Sequence, residues 1–264
     1  MKKGILIIAL MLFGVMTNAQ ETLYLVFEFM KVDNEQSAAY DETESFWEKI
    51  QQQRVKSGDI LGWDLWSLQP GGEMQGFQYL TVSLYSDPVK MMDGSSWSNI
   101  MDRVKAAYPN MTESELTAKI NGSAKTRDLA ARIYAQQIAT TTGFSPAEMV
   151  LGTVAEIDMM KVDLEHYNTY ENAEKEVFQP LHQKEVDSGN KLNWGLIGFM
   201  NPIGSDTYAS HMTVSMFKDY NQALNQNINY SEGATPAKTK QMQEGIAARD
   251  LKYVYMAQLI RMVR

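Results

Sequence analysis

Five groups of residues occur twice along this chain in the same order, and that self-similarity constrains the fold more than any other feature. Met30-Lys31-Val32-Asp33 returns as Met160-Lys161-Val162-Asp163. Ser57-Gly58, Leu61 and Trp63 return as Ser188-Gly189, Leu192 and Trp194. Pro70 and Gly72 return as Pro202 and Gly204, and Thr81-Val82-Ser83 with Asp87 as Thr213-Val214-Ser215 with Asp219. Arg127-Asp128-Leu129, Ala135-Gln136 and Ile138 return as Arg249-Asp250-Leu251, Ala257-Gln258 and Ile260. The separation drifts slightly until the last group, where it falls by ten residues. The first copy therefore carries an insertion between Ser95 and Asn121, expected to be an extra helical segment around 112–120. The copies span 20–140 and 150–264, and 141–149 reads as a linker.

Each copy repeats one order of elements. In the first, 23–32 is apolar and rich in strand formers, and 41–56 has Phe46, Trp47, Ile50 and Val55 near helical spacing until Ser57-Gly58 stops it. Two strands, 60–68 and 77–85, flank a turn at Gln69-Pro70-Gly71-Gly72 and form a hairpin. Asp87-Pro88 supplies a cap and a first-turn proline for a second helical region, and 129–138 is the last strand. Pro180 falls inside the first helix of the second copy, where a kink or restart is expected. The order is β-α-β-β-α-β, the ferredoxin-like unit. Its helices cover one face of the sheet and leave the other bare, so two copies are expected to pack bare face to bare face.

The helix ending in Ser-Gly, the Gly62-Trp63 and Asn193-Trp194 strands and the Thr-Val-Ser strands resemble the unit of the dimeric α/β-barrel superfamily, which includes antibiotic-biosynthesis-type monooxygenases. The resemblance covers nearly all of the chain after its first residues. It implies an α+β fold, two tandem ferredoxin-like βαββαβ units packed sheet to sheet as a fused α/β barrel. Members of that superfamily include cofactor-free monooxygenases, haem-dependent enzymes and proteins of no known activity, so the fold constrains function weakly.

Met1-Lys2-Lys3, the thirteen apolar residues 4–16 and Thr17-Asn18-Ala19 follow the pattern of a secretory signal peptide, with cleavage expected after Ala19. The apolar stretch is shorter than the roughly 20 residues that span a bilayer. Export to the periplasm or beyond, as a soluble protein, is the expectation. Loss of Lys2 and Lys3 takes the formal charge from −8 to −10. An acidic chain without a basic cluster argues against nucleic acid and anionic membranes as partners. Zero cysteines remove disulfides, thiolate catalysis and cysteine-based metal sites.

Strand alternation groups Leu80, Val82 and Leu84 on one face, with Met212, Val214 and Met216 as equivalents, and this aliphatic face is expected under the helices. Tyr79, Thr81, Ser83 and Tyr85 share the other face, matched by His211, Thr213, Ser215 and Phe217. On that assignment Glu28, its equivalent Asp158, Tyr79 and His211 point into the space between the sheets. With Trp63 and Trp194 they are the candidate ligand-binding residues. Carboxylates there need partners, and Arg127, Arg132 and Arg249 are at hand. The bland alternative is a satisfied polar network with no ligand.

No metal or cofactor is called for by spacing. His166, His182 and His211 show no paired-ligand pattern, although His182, standing where the first copy has Gln51, is the position from which a single axial histidine would hold haem. No G-x-S-x-G elbow occurs, and the glycines at 71, 72 and 204 precede strands rather than helices. The run 171–175 reads as a solvated helix face. The leading functional expectation is small-ligand binding or interaction through a polar-aromatic space between the sheets. The alternatives are a cofactor-independent monooxygenase-like enzyme and a purely structural role.

Overall fold

The computed structural model describes residues 22–70 and 75–264. The expected leader lies outside the described residues, as do Gly71 and Gly72 of the turn at 69–72. The first half runs β1 (Tyr24–Lys31), α1 (Ser37–Lys56), β2 (Gly62–Gln69), β3 (Tyr79–Tyr85), α2 (Pro88–Met92), α3 (Ile100–Ala107), α4 (Glu113–Ser123) and β4 (Asp128–Thr140). The second runs β5 (Val154–Val162), α5 (Tyr167–Ala173), α6 (Gln179–Asp187), β6 (Asn193–Asn201), β7 (His211–Phe217), α7 (Tyr220–Leu224), α8 (Pro236–Ala247) and β8 (Arg249–Val263).

Local chemistry sets most of these boundaries. α1 and α6 both stop at a glycine with positive φ, Gly58 (68°) and Gly189 (73°), a backbone state that side chains with a Cβ disfavour. The Asp87 carboxylate caps α2 by accepting from the Val89 and Lys90 amides, with Pro88 opening the first turn. The insertion in the first copy is helical, but the extra helix is α3 rather than 112–120: α4, which a Thr112–Glu115 capping box starts, has its counterpart in α8, capped by Thr235. Before Pro180 the helix does not break but widens into a π-helical turn, Glu174–Phe178. Equivalent residues are 130 apart before that turn (Tyr40 and Tyr170) and 131 apart after it (Gln51 and His182), so the turn absorbs one inserted residue.

All strand pairs are antiparallel, and the eight strands close in the order β1-β3-β2-β8-β5-β7-β6-β4. Two seams join the copies. β2 pairs with β8, from Trp63 opposite Val263 to Gln69 opposite Met256, and β4 pairs with β6, from Tyr134 opposite Asn201 to Thr140 opposite Gly195. The fold is thus two ferredoxin-like units fused as one α/β barrel.

The face assignment made from alternation is reversed. Leu80, Val82 and Leu84 lie inside the barrel with Leu25, Phe27, Phe29, Ile157, Met212 and Val214. Trp66 joins them, whereas Trp63 packs outward beneath the helices. The middle of the interior is packed, leaving about 90 Å³ at one end near a buried Asp64–Arg264 ion pair and an apolar pocket of about 440 Å³ at the other, walled by Phe29, Met159, Phe199 and Tyr255. Glu28, Asp158, Tyr79 and His211 therefore do not face the space between the sheets; they lie on the outer face, against the helices. The physical reason is that closure lines the inner face with strands and caps it with apolar loop residues such as Phe144 and Met149, so a polar group there is costly. Among the described residues, no helix is long and apolar enough to cross a membrane.

α8 lies close against α5, and a Cβ at Gly245 would stand 2.2 Å from the Ala173 Cβ, whereas one at Gly122 in α4 would meet nothing within 4 Å. Gly245→Ala is expected to lower unfolding free energy by about 1–3 kcal/mol through overpacking, despite better helix propensity. Gly122→Ala should raise it by up to about 1 kcal/mol. Urea unfolding of both variants checks the pair.

Candidate functional site

Besides the apolar pocket at one end of the barrel, space lined by polar groups lies between the sheet and its helices. In the second copy this space is a cavity of about 690 Å³. Its floor is the outer face of β5, β7 and β6, carrying Glu156, Asp158, Thr213, Ser215 and Trp194. Glu174, Phe178 and His182 come from the helical side, Arg249 from the start of β8, and Tyr230 from the loop before α8.

The carboxylates in this cavity are poorly balanced. Glu156 accepts from Gln226 Nε2 at 3.2 and 3.1 Å, and Asp158 accepts from Thr213 Oγ1 at 3.1 Å. Arg249 Nη1 is 3.6 Å from Glu174, a loose ion pair. Burial, with Glu156 close by, pushes the Asp158 carboxyl up to about 6. Burial likewise raises Glu174 to about 7 against the pull of Arg249. In the first copy the equivalent Glu44 is in direct contact with Arg127.

Beneath Trp194 sits a buried cation. Lys191 Nζ donates to His182 Nδ1 at 3.0 Å and to Ser215 Oγ at 2.9 Å, and lies over the Phe217 ring. Burial lowers its ammonium to about 8, opposed by Glu156 and Asp158. The His182 ring stacks on Trp194 at 4.9 Å and 9°. Burial and the neighbouring ammonium hold His182 neutral, down to about 2.

The six sequence-derived residues are not brought together. Asp158 and Trp194 share the second-copy cavity, while Glu28 and Trp63 line its smaller first-copy counterpart of about 340 Å³. There Glu28 is bound by Arg132 Nε and Nη2 at 2.8 and 2.6 Å. Tyr79 packs against Tyr40, with ring centres 4.5 Å apart and planes tilted by 45°. His211 is buried between Ser210, 3.0 Å from its Nδ1, and Glu171, 3.4 Å from its Nε2, under the rings of Tyr167 and Tyr170. Neither residue lines the second-copy cavity.

Sequence reasoning missed Glu174, which lies within the run read as a solvated face yet is buried. A signal was available: Tyr40 and Glu44 return as Tyr170 and Glu174 beside the repeated Arg127 and Arg249. Lys191 had no such signal, since its first-copy equivalent is Ile60.

Comparison with known proteins places the fold. No family model matches the chain, and no curated protein matches by sequence. Two solved structures share the architecture. One, described as a "putative monooxygenase" from Fusobacterium nucleatum, is 13% identical with a TM-score of 0.52, covering 92% of this chain and 94% of the other. The second, a "putative monooxygenase" from Lactobacillus acidophilus, is 8% identical with a TM-score of 0.52, covering 92% and 96%. These likenesses establish the dimeric α/β-barrel fold. A haem-binding protein from Thermus thermophilus is more distant, at 9% identity and a TM-score of 0.47.

Haem does not fit the second-copy cavity. A neutral imidazole has one nitrogen lone pair, and that of His182 Nδ1 accepts from Lys191 Nζ, so Nε2 carries the proton and cannot ligate iron. The three carboxylates on the walls would also repel propionates, with Arg249 already engaged by Glu174.

The raised carboxyls have a definite linkage sign. Asp158 and Glu174 hold protons more tightly folded than unfolded, so their stabilisation is complete below about pH 4 and lost as pH rises through about 6 and about 7. Glu174→Gln should therefore gain about 1–3 kcal/mol relative to wild type on going from about pH 5 to about pH 8. Thermal melts across that range check the trend.

Proposed function

We propose that the protein binds a small organic molecule in the second-copy cavity, between sheet and helices rather than between the sheets. One observation carries the reading: three carboxylates, Glu156, Asp158 and Glu174, line a cavity of about 690 Å³ in which Arg249 is the lining cation and Lys191 sits beneath the floor. With all three ionised the site has one negative charge in excess. A ligand bearing an amine or a hydroxyl would relieve that excess by donating to Asp158 and Glu174. Phe178, Trp194, Ile228 and Ile246 would cover its apolar part.

The carboxyls at about 6 and about 7 favour a second reading, that the site moves a proton. A carboxylate titrating near neutrality in an aromatic-walled cavity is suited to taking a proton from an acidic C–H or O–H of the bound molecule. A cofactor-independent oxygenase, the alternative implied by the fold resemblance, would need that step first.

We further propose that the protein acts outside the cytoplasm after cleavage following Ala19; sequencing the amino terminus of protein from its own cells should then begin at Gln20. The binding proposal is tested by native mass spectrometry of protein purified gently from the same source. A retained small-molecule mass, lost on denaturation, is expected, and Asp158→Asn or Glu174→Gln should weaken retention at least tenfold. Retention unchanged in both variants would place the ligand elsewhere.

A further inference from the structure

The first copy carries a cation that its fold leaves without a counter-ion. Arg54, near the end of α1, is fully buried, yet among the described residues no carboxylate lies in ion-pairing range of its guanidinium. Nη1 donates to Gln51 Oε1 at 2.9 Å. Nη2 meets Tyr85, the Ser96 carbonyl and Ser96 Oγ only at 3.4–3.5 Å, and Nε has no partner. One good hydrogen bond for five N–H donors is poor satisfaction for a buried ion. Asp59, a carboxylate in the turn after α1, is held by Arg103 through two contacts of 2.6 and 3.2 Å.

The second copy makes the position informative. Lys191 donates to His182, the equivalent of Gln51, and lies over Phe217, the equivalent of Tyr85. Both copies therefore place a cation at one spot, although it reaches that spot from different backbone positions. Arg54 comes from the helix, where the second copy has Glu185, and Lys191 from the residue before β6, where the first copy has Ile60. In the second copy Glu156 and Asp158 lie near enough to raise the ammonium's affinity for its proton. In the first copy the equivalent of Glu156 is Val26, while Glu28, the equivalent of Asp158, and Asp59 favour the charged Arg54 from beyond ion-pairing range and are themselves paired with Arg132 and Arg103.

Arg54 lies beneath an aromatic side chain that borders open space. Its guanidinium lies 3.7 Å from the Trp97 ring centre, and Trp97 is 40% exposed at the end of a short turn after Gly94. Trp97 borders two spaces of about 340 and 440 Å³, one reaching Gln51, Trp47 and Trp63, the other Tyr85 and Ser83. The charges lining them balance, Arg127 and Arg132 being matched by Glu44 and Glu28, and Arg54, buried beneath Trp97, adds the one charge without an ion-pair partner. We infer that this first-copy space is a second ligand site, for a small organic carboxylate with a flat apolar body. The carboxylate takes the unsatisfied edge of Arg54 as Trp97 moves aside, and Trp47, Trp63 and Trp97 wall the apolar part. The site is of opposite charge to the second-copy cavity and is independent of it.

The test uses benzoate and the whole protein labelled with 5-fluorotryptophan, the Trp97 resonance being assigned by Trp97→Phe. Benzoate is expected to shift that resonance saturably, benzylamine to leave it in place, and Arg54→Gln to weaken the benzoate response at least tenfold. Asp158→Asn, which changes only the second-copy cavity, should leave the benzoate response intact, so the two sites fail separately. No Trp97 shift at roughly 10 mM benzoate, well above the weakest binding worth assigning, overturns the inference. So does an equal response to benzylamine, a wild-type result that decides the matter even where Arg54→Gln does not fold.

Discussion

Everything in this molecule depends on the two seams at which the copies exchange backbone hydrogen bonds, β2 with β8 and β4 with β6. A four-stranded ferredoxin-like sheet standing alone has two open edges and one bare face. The seams remove the edges and, by closing the sheet on itself, bury the bare faces against each other. The enclosed space then has strands around it and apolar loop residues such as Phe144, Met149 and Phe77 at its ends. Aliphatic and aromatic groups line it, and Asp64 is tolerated there through its contact with Arg264.

That closure displaces polar chemistry to the layer between sheet and helices. There each strand offers its second set of side chains, and each helix crosses at an angle that leaves room above the floor. The insertion in the first copy adds α3 against α1, with Val104 packing beside Leu116 of α4 on Phe46 and Ile50, so its cavity is tighter. The second copy has α8 in the place of α4 but no counterpart of α3. The π-helical turn there carries Glu174, Val177 and Phe178 inward, and the cavity is about twice the size.

The repeat made the fold legible from residues alone, because it fixed element order twice over and located the insertion. Alternation also grouped side chains correctly: Glu28 with Thr81 and Asp158 with Thr213 do share faces and are hydrogen-bonded. What alternation could not decide is which face turns inward, since both faces are covered, one by helices and one by the partner sheet. Leu80 and Thr81 are both buried, on opposite sides. The candidate carboxylates were thus found, but in two separate places, and with the wrong neighbours. Glu174 was hidden by its composition, lying in a run of charged residues whose burial only the tertiary packing reveals. Lys191 is a single departure from the repeat, and departures carry no pattern.

Covalent fusion of the two halves has its own consequence. In an assembly of two identical chains every substitution appears twice, related by the symmetry axis, so a residue suited to one pocket must also be tolerated in the other. Joining the halves lifts that requirement. Gln51 can remain an amide while its counterpart becomes His182, and Ile60 can stay apolar while its counterpart becomes Lys191. The barrel wall stays nearly two-fold symmetric, whereas the surfaces it presents to small molecules are free to diverge, each by single steps that leave the other untouched.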